Sequence, residues 1–324
     1  MSVKSIVLST VLLGNVLPAF ADDPAAAASA ATAKTGAFNH VGLGFLASYT
    51  DFKFNSSTGS NFNRFTGHST LYSSALGNVK ITPNWIGGLA LFSVVTSVRS
   101  QVSIAPGQPA TAEQATHNNT IFAHVLREVK NKVFLDLSGA YGQNKVNSTS
   151  WVMPNTKFQQ IGEAHNISSN WFVSAMALYS RPWNKFSFNG NVRLLYSQVN
   201  SGFYTFQFAP TLGTQAVQAL TNKALFLTEN LEIDYALNTK MSIKPFINGG
   251  LLQVLSFSNS RPLIGAGIIG PSPQLDIRTD GYRVGGGVTF EHKKLTLRLE
   301  EQYYSSGGNY KSYQTLAGLR YAID

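Results

Sequence analysis

The sequence predicts an all-β chain folded as a transmembrane antiparallel up-and-down β-barrel of about 12 strands, and three observations carry that expectation. Apolar and polar residues alternate with period two from Leu43 to Ile323. Short turns and long polar connections follow one another in regular order. After residue 21, no apolar run approaches the roughly 20 residues of a membrane helix. Composition agrees: 13% of residues are charged, against about a quarter in soluble domains, while aromatics reach 12% and there are 28 glycines. A secreted soluble β-protein, the competing class, would not usually sort its connections by length, and an open sheet would leave two edges to hide.

The N-terminus sets the compartment. Lys4 precedes an apolar run from Ile6 to Phe20, and Ala19-Phe20-Ala21 has the small-x-small pattern of a signal-peptidase site. Residues 1–21 are therefore expected to be a signal peptide; Ser9, Gly14, Asn15 and Pro18 interrupt the run and argue against an anchor. Losing Lys4 takes the formal charge from +9 to +8, yet lysines and arginines do not cluster, so nucleic acid is not an expected partner. The absence of cysteine excludes a disulfide framework, thiolate chemistry and cysteine-based metal sites. An exported chain of this size without cysteine points to a bacterium.

Residues 22–38 differ in composition from everything after them. Asp22 and Asp23 suit a helix cap, Pro24 its first turn, Ala25 to Lys34 its body and Gly36 its end. About twelve residues would span some 18 Å and would not hold a helix alone in water. This Ala-rich stretch is thus either a spacer or a short helix held in the lumen.

Residues 39–324 form the barrel. Leu43, Phe45, Ala47 and Tyr49 open the alternation, and Asn55 to Asn63 reads as a loop. His68 to Lys80, the turn Thr82-Pro83-Asn84, and Trp85 to Ile104 follow. After the loop Ala105 to Asn118 come Asn119 to Val129, the turn Lys130-Asn131-Lys132, and a strand in which Val133, Leu135 and Leu137 oppose Asp136 and Ser138. Lys145 to Asn166 reads as a loop, Trp171 to Tyr179 as a strand and Ser180 to Lys185 as a turn. Val192 and Leu194 then oppose Asn191 and Arg193, and a loop covers Phe203 to Asn222. Leu231, Ile233 and Tyr235 oppose Glu232 and Asp234 before the turn Asn238-Thr239-Lys240. Ile243 to Leu255 and the loop Asn259 to Pro273 precede a strand in which Tyr282 and Val284 oppose Arg283. The turn His292-Lys293-Lys294 leads into a last hairpin, Leu295 to Asp324, whose polar face carries Arg298, Glu300 and Arg320. Aromatics near the strand ends, Trp85, Trp151, Trp171, Trp183, Tyr282, Tyr303, Tyr304 and Tyr313, are candidates for interfacial girdles.

Charge repeated on every second residue cannot face a dry core, because a buried unpaired charge is expensive. Asp136, Arg193, Glu232, Asp234, Arg283, Arg298, Glu300 and Arg320 are therefore expected to line a wet lumen, where mixed signs pair across a narrow interior more readily than they form a selective ring. The six histidines show no metal-ligand spacing, and there is no Gly-x-Ser-x-Gly elbow. Neither metal, cofactor nor catalytic site is expected, and His124, alternating with Phe122 and Leu126, is expected to be an inward structural histidine.

Leu316-Ala317-Gly318-Leu319-Arg320-Tyr321, ending a chain of this architecture, resembles the last strand of the translocator domain of bacterial autotransporters. The resemblance implies a bacterial outer-membrane barrel, with outer-membrane lipid, lipopolysaccharide and the barrel-assembly machinery as partners. It also implies a helix in the pore, in the place taken here by Pro24 to Thr35. The family's last residue is typically aromatic, where this chain has Asp324. Its barrel follows an N-terminal passenger, whereas only residues 22–38 separate the expected signal from the barrel. The expectation is thus an autotransporter-type barrel without a passenger, surface-exposed, with a partly plugged pore. The alternatives are a passive channel for small hydrophilic solutes and an adhesin that meets a host surface through its loops.

Overall fold

The computed structural model describes residues 41–323 apart from 59–60, 104–108, 131, 211–212, 218, 238–241, 260–279 and 308. The expected signal peptide, the Ala-rich stretch, the Asn238-Thr239-Lys240 turn and most of the Asn259 to Pro273 connection lie outside the described residues. The described strands are β1 (Gly42–Thr58), β2 (Asn61–Thr82), β3 (Trp85–Ser103), β4 (Pro109–Lys130), β5 (Val133–Val152), β6 (Gln160–Trp183), β7 (Phe186–Ser201), β8 (Tyr204–Ala209), β9 (Gly213–Val217), β10 (Leu220–Tyr235), β11 (Ser242–Asn259), β12 (Gly281–His292), β13 (Leu295–Ser306) and β14 (Tyr310–Ala322).

Twelve of these close a barrel. Every strand pairs antiparallel with its sequence neighbour from β1 to β7 and from β10 to β14; β7 pairs with β10 and β1 with β14. Hydrocarbon offers no hydrogen-bond partners, so closure is what satisfies the backbone of the two end strands. The seam runs where the sequence places it, with Leu43 opposite Tyr321 and Tyr49 opposite Thr315. Alternation sorts the faces: on β1, Leu43, Phe45 and Tyr49 are exposed on the outside, while Ser48 and Thr50 are buried within. Among the described residues, two-residue turns join β2 to β3, β6 to β7 and β12 to β13 at the end expected to face the periplasm, and Asn184 (φ 56°) and Lys293 (φ 53°) take the left-handed conformation such turns favour.

The opposite end corrects the expected loops. Asn55 to Asn63, Ala105 to Asn118 and Lys145 to Asn166 are largely strand, since β1 runs to Thr58, β4 starts at Pro109, β5 runs to Val152 and β6 starts at Gln160. A membrane strand needs about 9–11 residues, so the 24 residues of β6 carry the wall well beyond the bilayer. Outside the membrane both faces can be polar, and the apolar/polar alternation fades while the ladder continues. The Phe203 to Asn222 loop likewise holds the hairpin β8–β9, which hangs from β6 through Gly162 and Phe208. Tyr204, Phe206, Phe208 and Val217 pack there against Val152 and Ala164, a small apolar core that fixes the hairpin.

Outward aromatics form two bands. Tyr282, Tyr303 and Tyr313 make an upper patch, with ring centroids 6.3 and 5.0 Å apart. Trp183, Phe186, Phe188 and Tyr235 make a lower one. Two expected girdle residues fall elsewhere. Tyr304 faces the lumen, because it shares the inward set of β13 with Arg298 and Glu300. Trp151 pairs with Ile161 in the wall above the bilayer.

Two outward residues at mid-height of the apolar band are carboxylates, Glu301 on β13, which accepts the Thr315 hydroxyl at 2.7 Å, and Glu229. Glu229 on β10 lies six residues from Tyr235, the strand's periplasmic end, and is flanked by Leu231 on its own strand, Val192 on β7 and Leu251 on β11. At about 2.5 Å of height per tilted residue it sits roughly 15 Å into a band about 25 Å tall. A lipid-facing charge at that depth is destabilising. Glu229→Leu is expected to stabilise the barrel by about 1–2 kcal/mol, read as a higher urea midpoint of the heat-modifiable band in lipid vesicles; an unchanged or lower midpoint would show that the carboxylate is satisfied in the membrane.

Candidate lumen site

The barrel interior has two unlike walls, and the register dictates which strands build each. From β1 to β6, much of the inward set is apolar: Leu71, Ala90, Phe92 and Phe122 form one cluster, and Leu126, Phe134, Met176 and Leu178 another. From β7 to β14 the inward set is mostly amide and charge, with Asn189, Asn230, Glu232, Asn248, Arg298 and Glu300 among the residues that line the cavity. Between the walls lies a cavity of about 500 Å³, reaching from Gly42 and Lys185 near the periplasmic end up to Gln302 and Tyr304. Beyond Tyr304, inward Phe52 stacks on Tyr310 and Phe54 on Phe65, and Phe52 meets Phe65 edge to face.

The centre of the polar wall is Arg298. Its Nη2 donates to Glu232 Oε2 at 2.8 Å and to Glu300 Oε2 at 2.6 Å, and its Nε donates to the same Glu300 oxygen at 2.8 Å. The guanidinium lies 3.6 Å from the centroid of the Phe246 ring, which holds the planar group between the two carboxylates. Asn248 donates from Nδ2 to Glu232 at 3.3 Å and also to Glu300, which accepts a further bond from Gln302. Glu232 and Glu300 are 3% and 6% exposed, so this is a sequestered two-acid, one-base cluster. One guanidinium shared by two carboxylates ties β10 to β13 and leaves a single formal negative charge, which the Asn248 and Gln302 amides solvate.

Of the other residues expected in the lumen, Asp234 lines the same cavity and accepts from Asn189 Nδ2 at 2.6 Å. Arg283 and Arg320 line it as well. Asp136 and Arg193 lie apart, each about 1% exposed. Asp136 Oδ2 is 2.7 Å from Nδ1 of His124, which packs on Phe122, so His124 faces inward in a structural pair. Arg193 donates from Nε to Ser174 Oγ at 3.0 Å, and Ser174 meets Ser138 at 2.7 Å. Higher on the same wall, Asn118 donates to Asn144 at 2.7 Å and to Asn170 at 2.9 Å, a ladder that ties β4, β5 and β6 together.

Two contributors escaped the sequence reading. Lys244 forms an ion pair of 2.7 Å with Glu291 on the cavity wall; Pro245 beside Lys244 hides its alternation, whereas Glu291 is legible on the polar face, opposing Phe290 as Arg283 opposes Tyr282. Asn248 looks unremarkable in an Ile-Asn-Gly-Gly run, and only the cross-strand register brings it between two carboxylates. Among the described residues no three histidine or acidic side chains come together as a metal site would need.

Comparison with known proteins places this geometry. A family model for the autotransporter β-domain matches residues 53–302. The translocator domain of the autotransporter NalP from Neisseria meningitidis superposes with a TM-score of 0.62 at 15% identity, over 95% of this chain and all of that one. The β-domain of the Bordetella autotransporter BrkA gives 0.58 at 12% identity, over 87% of this chain and 99% of that one. The transport unit of AIDA-I from Escherichia coli gives 0.56 at 9% identity, over 99% of each. None of the curated proteins matches the chain.

Proposed function

Because the chain belongs to the autotransporter β-domain family and is therefore a barrel of the bacterial outer membrane, we propose that it serves as a surface-exposed integral protein with a partly plugged pore. The observation that supports this reading is the pairing of opposite charges in the lumen. Arg298 between Glu232 and Glu300, and Lys244 on Glu291, form mixed pairs rather than the single-sign ring that an ion-selective pore uses. The two-faced interior supports the plug: a segment with small apolar residues along one side fits the Leu46, Leu71 and Leu178 wall, and residues 22–38 have that composition. Nothing in this role calls for catalysis. Outside the membrane, the extended β2–β6 wall and the β8–β9 hairpin supply the exposed surface.

Planar-bilayer conductance tests the plug. The intact protein is expected to conduct weakly, and deletion of Asp22 to Lys34 to raise the conductance several-fold, in keeping with an emptied lumen. A large, steady conductance that is the same with and without the segment would overturn the plug and leave a passive channel for small hydrophilic solutes.

A further inference from the structure

Lys53, Lys311, Arg64 and His68 occupy neighbouring outward positions at the barrel seam, Arg64 donating from Nε to Asn55 Oδ1 at 3.0 Å and His68 stacking on Tyr49. Lys53 on β1 stands directly opposite Lys311 on β14, and both point outward with the exposed set of their strands. On the other side of Lys53, its partner Thr66 on β2 is flanked by the outward residues Arg64 and His68. Like charges placed opposite one another across a ladder repel. Neither lysine forms an ion pair within the described residues. The carboxylate on the same patch, Asp51, already accepts the Tyr49 hydroxyl at 3.0 Å.

Depth gives this cluster its meaning. Lys53 is eleven residues from Gly42 and Lys311 eleven from Ala322, the periplasmic ends of their strands. At about 2.5 Å per residue both stand roughly 27 Å up, just above an apolar band about 25 Å tall. Immediately below them, Tyr313 is 58% exposed and continues into Tyr303 and Tyr282, a row of aromatic rings packed edge-on and tilted at the top of the hydrocarbon. A cationic notch over an aromatic shelf matches an amphiphile with a phosphate-bearing head above acyl chains.

We propose that the β1–β14 seam binds a phosphorylated saccharolipid of the outer leaflet, lipopolysaccharide, with Lys53 and Lys311 sharing one phosphate and Arg64 meeting the sugar or a second phosphate. The bound phosphate removes the repulsion between the two lysines, so the lipid clamps the first and last strands together. This site rests on the outer-membrane location and not on whether the pore is plugged.

The test measures lipid retained by the detergent-purified full-length barrel, unaltered and as the K53Q/K311Q and K53R/K311R variants, with the heat-modifiable band confirming the fold. Lipopolysaccharide retention is expected to fall roughly tenfold in the glutamine variant and to persist in the arginine variant. For the unaltered protein, chemically dephosphorylated lipopolysaccharide should bind as weakly as the native lipid binds the glutamine variant, and inorganic phosphate at equal concentration should not displace the lipid. Equal binding by the glutamine variant, equal binding of the dephosphorylated lipid, or displacement by inorganic phosphate alone would overturn the proposal. If the glutamine variant fails to fold, the dephosphorylated-lipid arm, which needs no substitution, decides.

Discussion

Removal of Tyr321 to Asp324 is expected to abolish assembly into the membrane, seen as loss of the heat-modifiable band and full protease sensitivity. The end of β14 is the seam's periplasmic half. Leu43 pairs with Tyr321 and Gly42 with Ala322, the Ile323 amide donates to the Val41 carbonyl at 2.8 Å, and the Ala322 amide donates to the Lys294 carbonyl at 2.9 Å. Truncation leaves these backbone groups of β1 and β13 without partners at the lower rim of the apolar band, at about 1–3 kcal/mol for each one that water does not reach. It also removes the last rungs that close the first strand on the last, and a barrel that cannot close leaves both edges unpaired along the membrane. The outward Tyr321 and Ile323, 49% and 48% exposed to lipid, are lost as well. The Tyr321→Ala/Ile323→Ala variant separates the two causes. If backbone closure decides, it still assembles; if the side chains act as an assembly signal, it fails as the truncation does.

How much of this could be read beforehand depended on which solvent each face meets. Where one face meets lipid and the other the lumen, as in Leu295 to Leu299 or Leu135 to Leu137, the alternation is sharp and the strands fall where expected. Where the wall leaves the bilayer, as at Glu113 to Asn118 or Lys145 to Thr149, water bathes the outer face and both faces turn polar, so continuous strands looked like loops. The inward placement of Glu232, Arg298 and Glu300 follows from that same alternation. Their meeting does not: Glu232 and Arg298 are 66 residues apart, and β11 and β12 lie between their strands. Tyr304 shows the opposite error, where residue type suggested the girdle and strand phase placed it inside.

Replacement of Arg298 by methionine is expected to destabilise the barrel by about 3–5 kcal/mol, because removing one member of a buried ion cluster leaves the others without compensation. Here the loss is sharpened by geometry, since Glu232 and Glu300 both lean on the same guanidinium and both accept from Asn248. Without Arg298 two neighbouring carboxylates face each other in a nearly closed wall, and they relax only by taking up a proton or letting water in. Urea unfolding in lipid vesicles, followed by the heat-modifiable band, should show a lower midpoint for Arg298→Met and an intermediate one for Arg298→Lys, which keeps the charge but loses the fork that serves both acids. The triple variant Arg298→Met/Glu232→Gln/Glu300→Gln should recover most of the loss, since amides can bond to Asn248 and Gln302 with no charge to neutralise. If the single and triple variants are equally unstable, packing on the Phe246 ring rather than electrostatics sets the role of Arg298. If both match the unaltered protein, the cluster does not brace the barrel at all, and its charges are free to act on what enters the lumen.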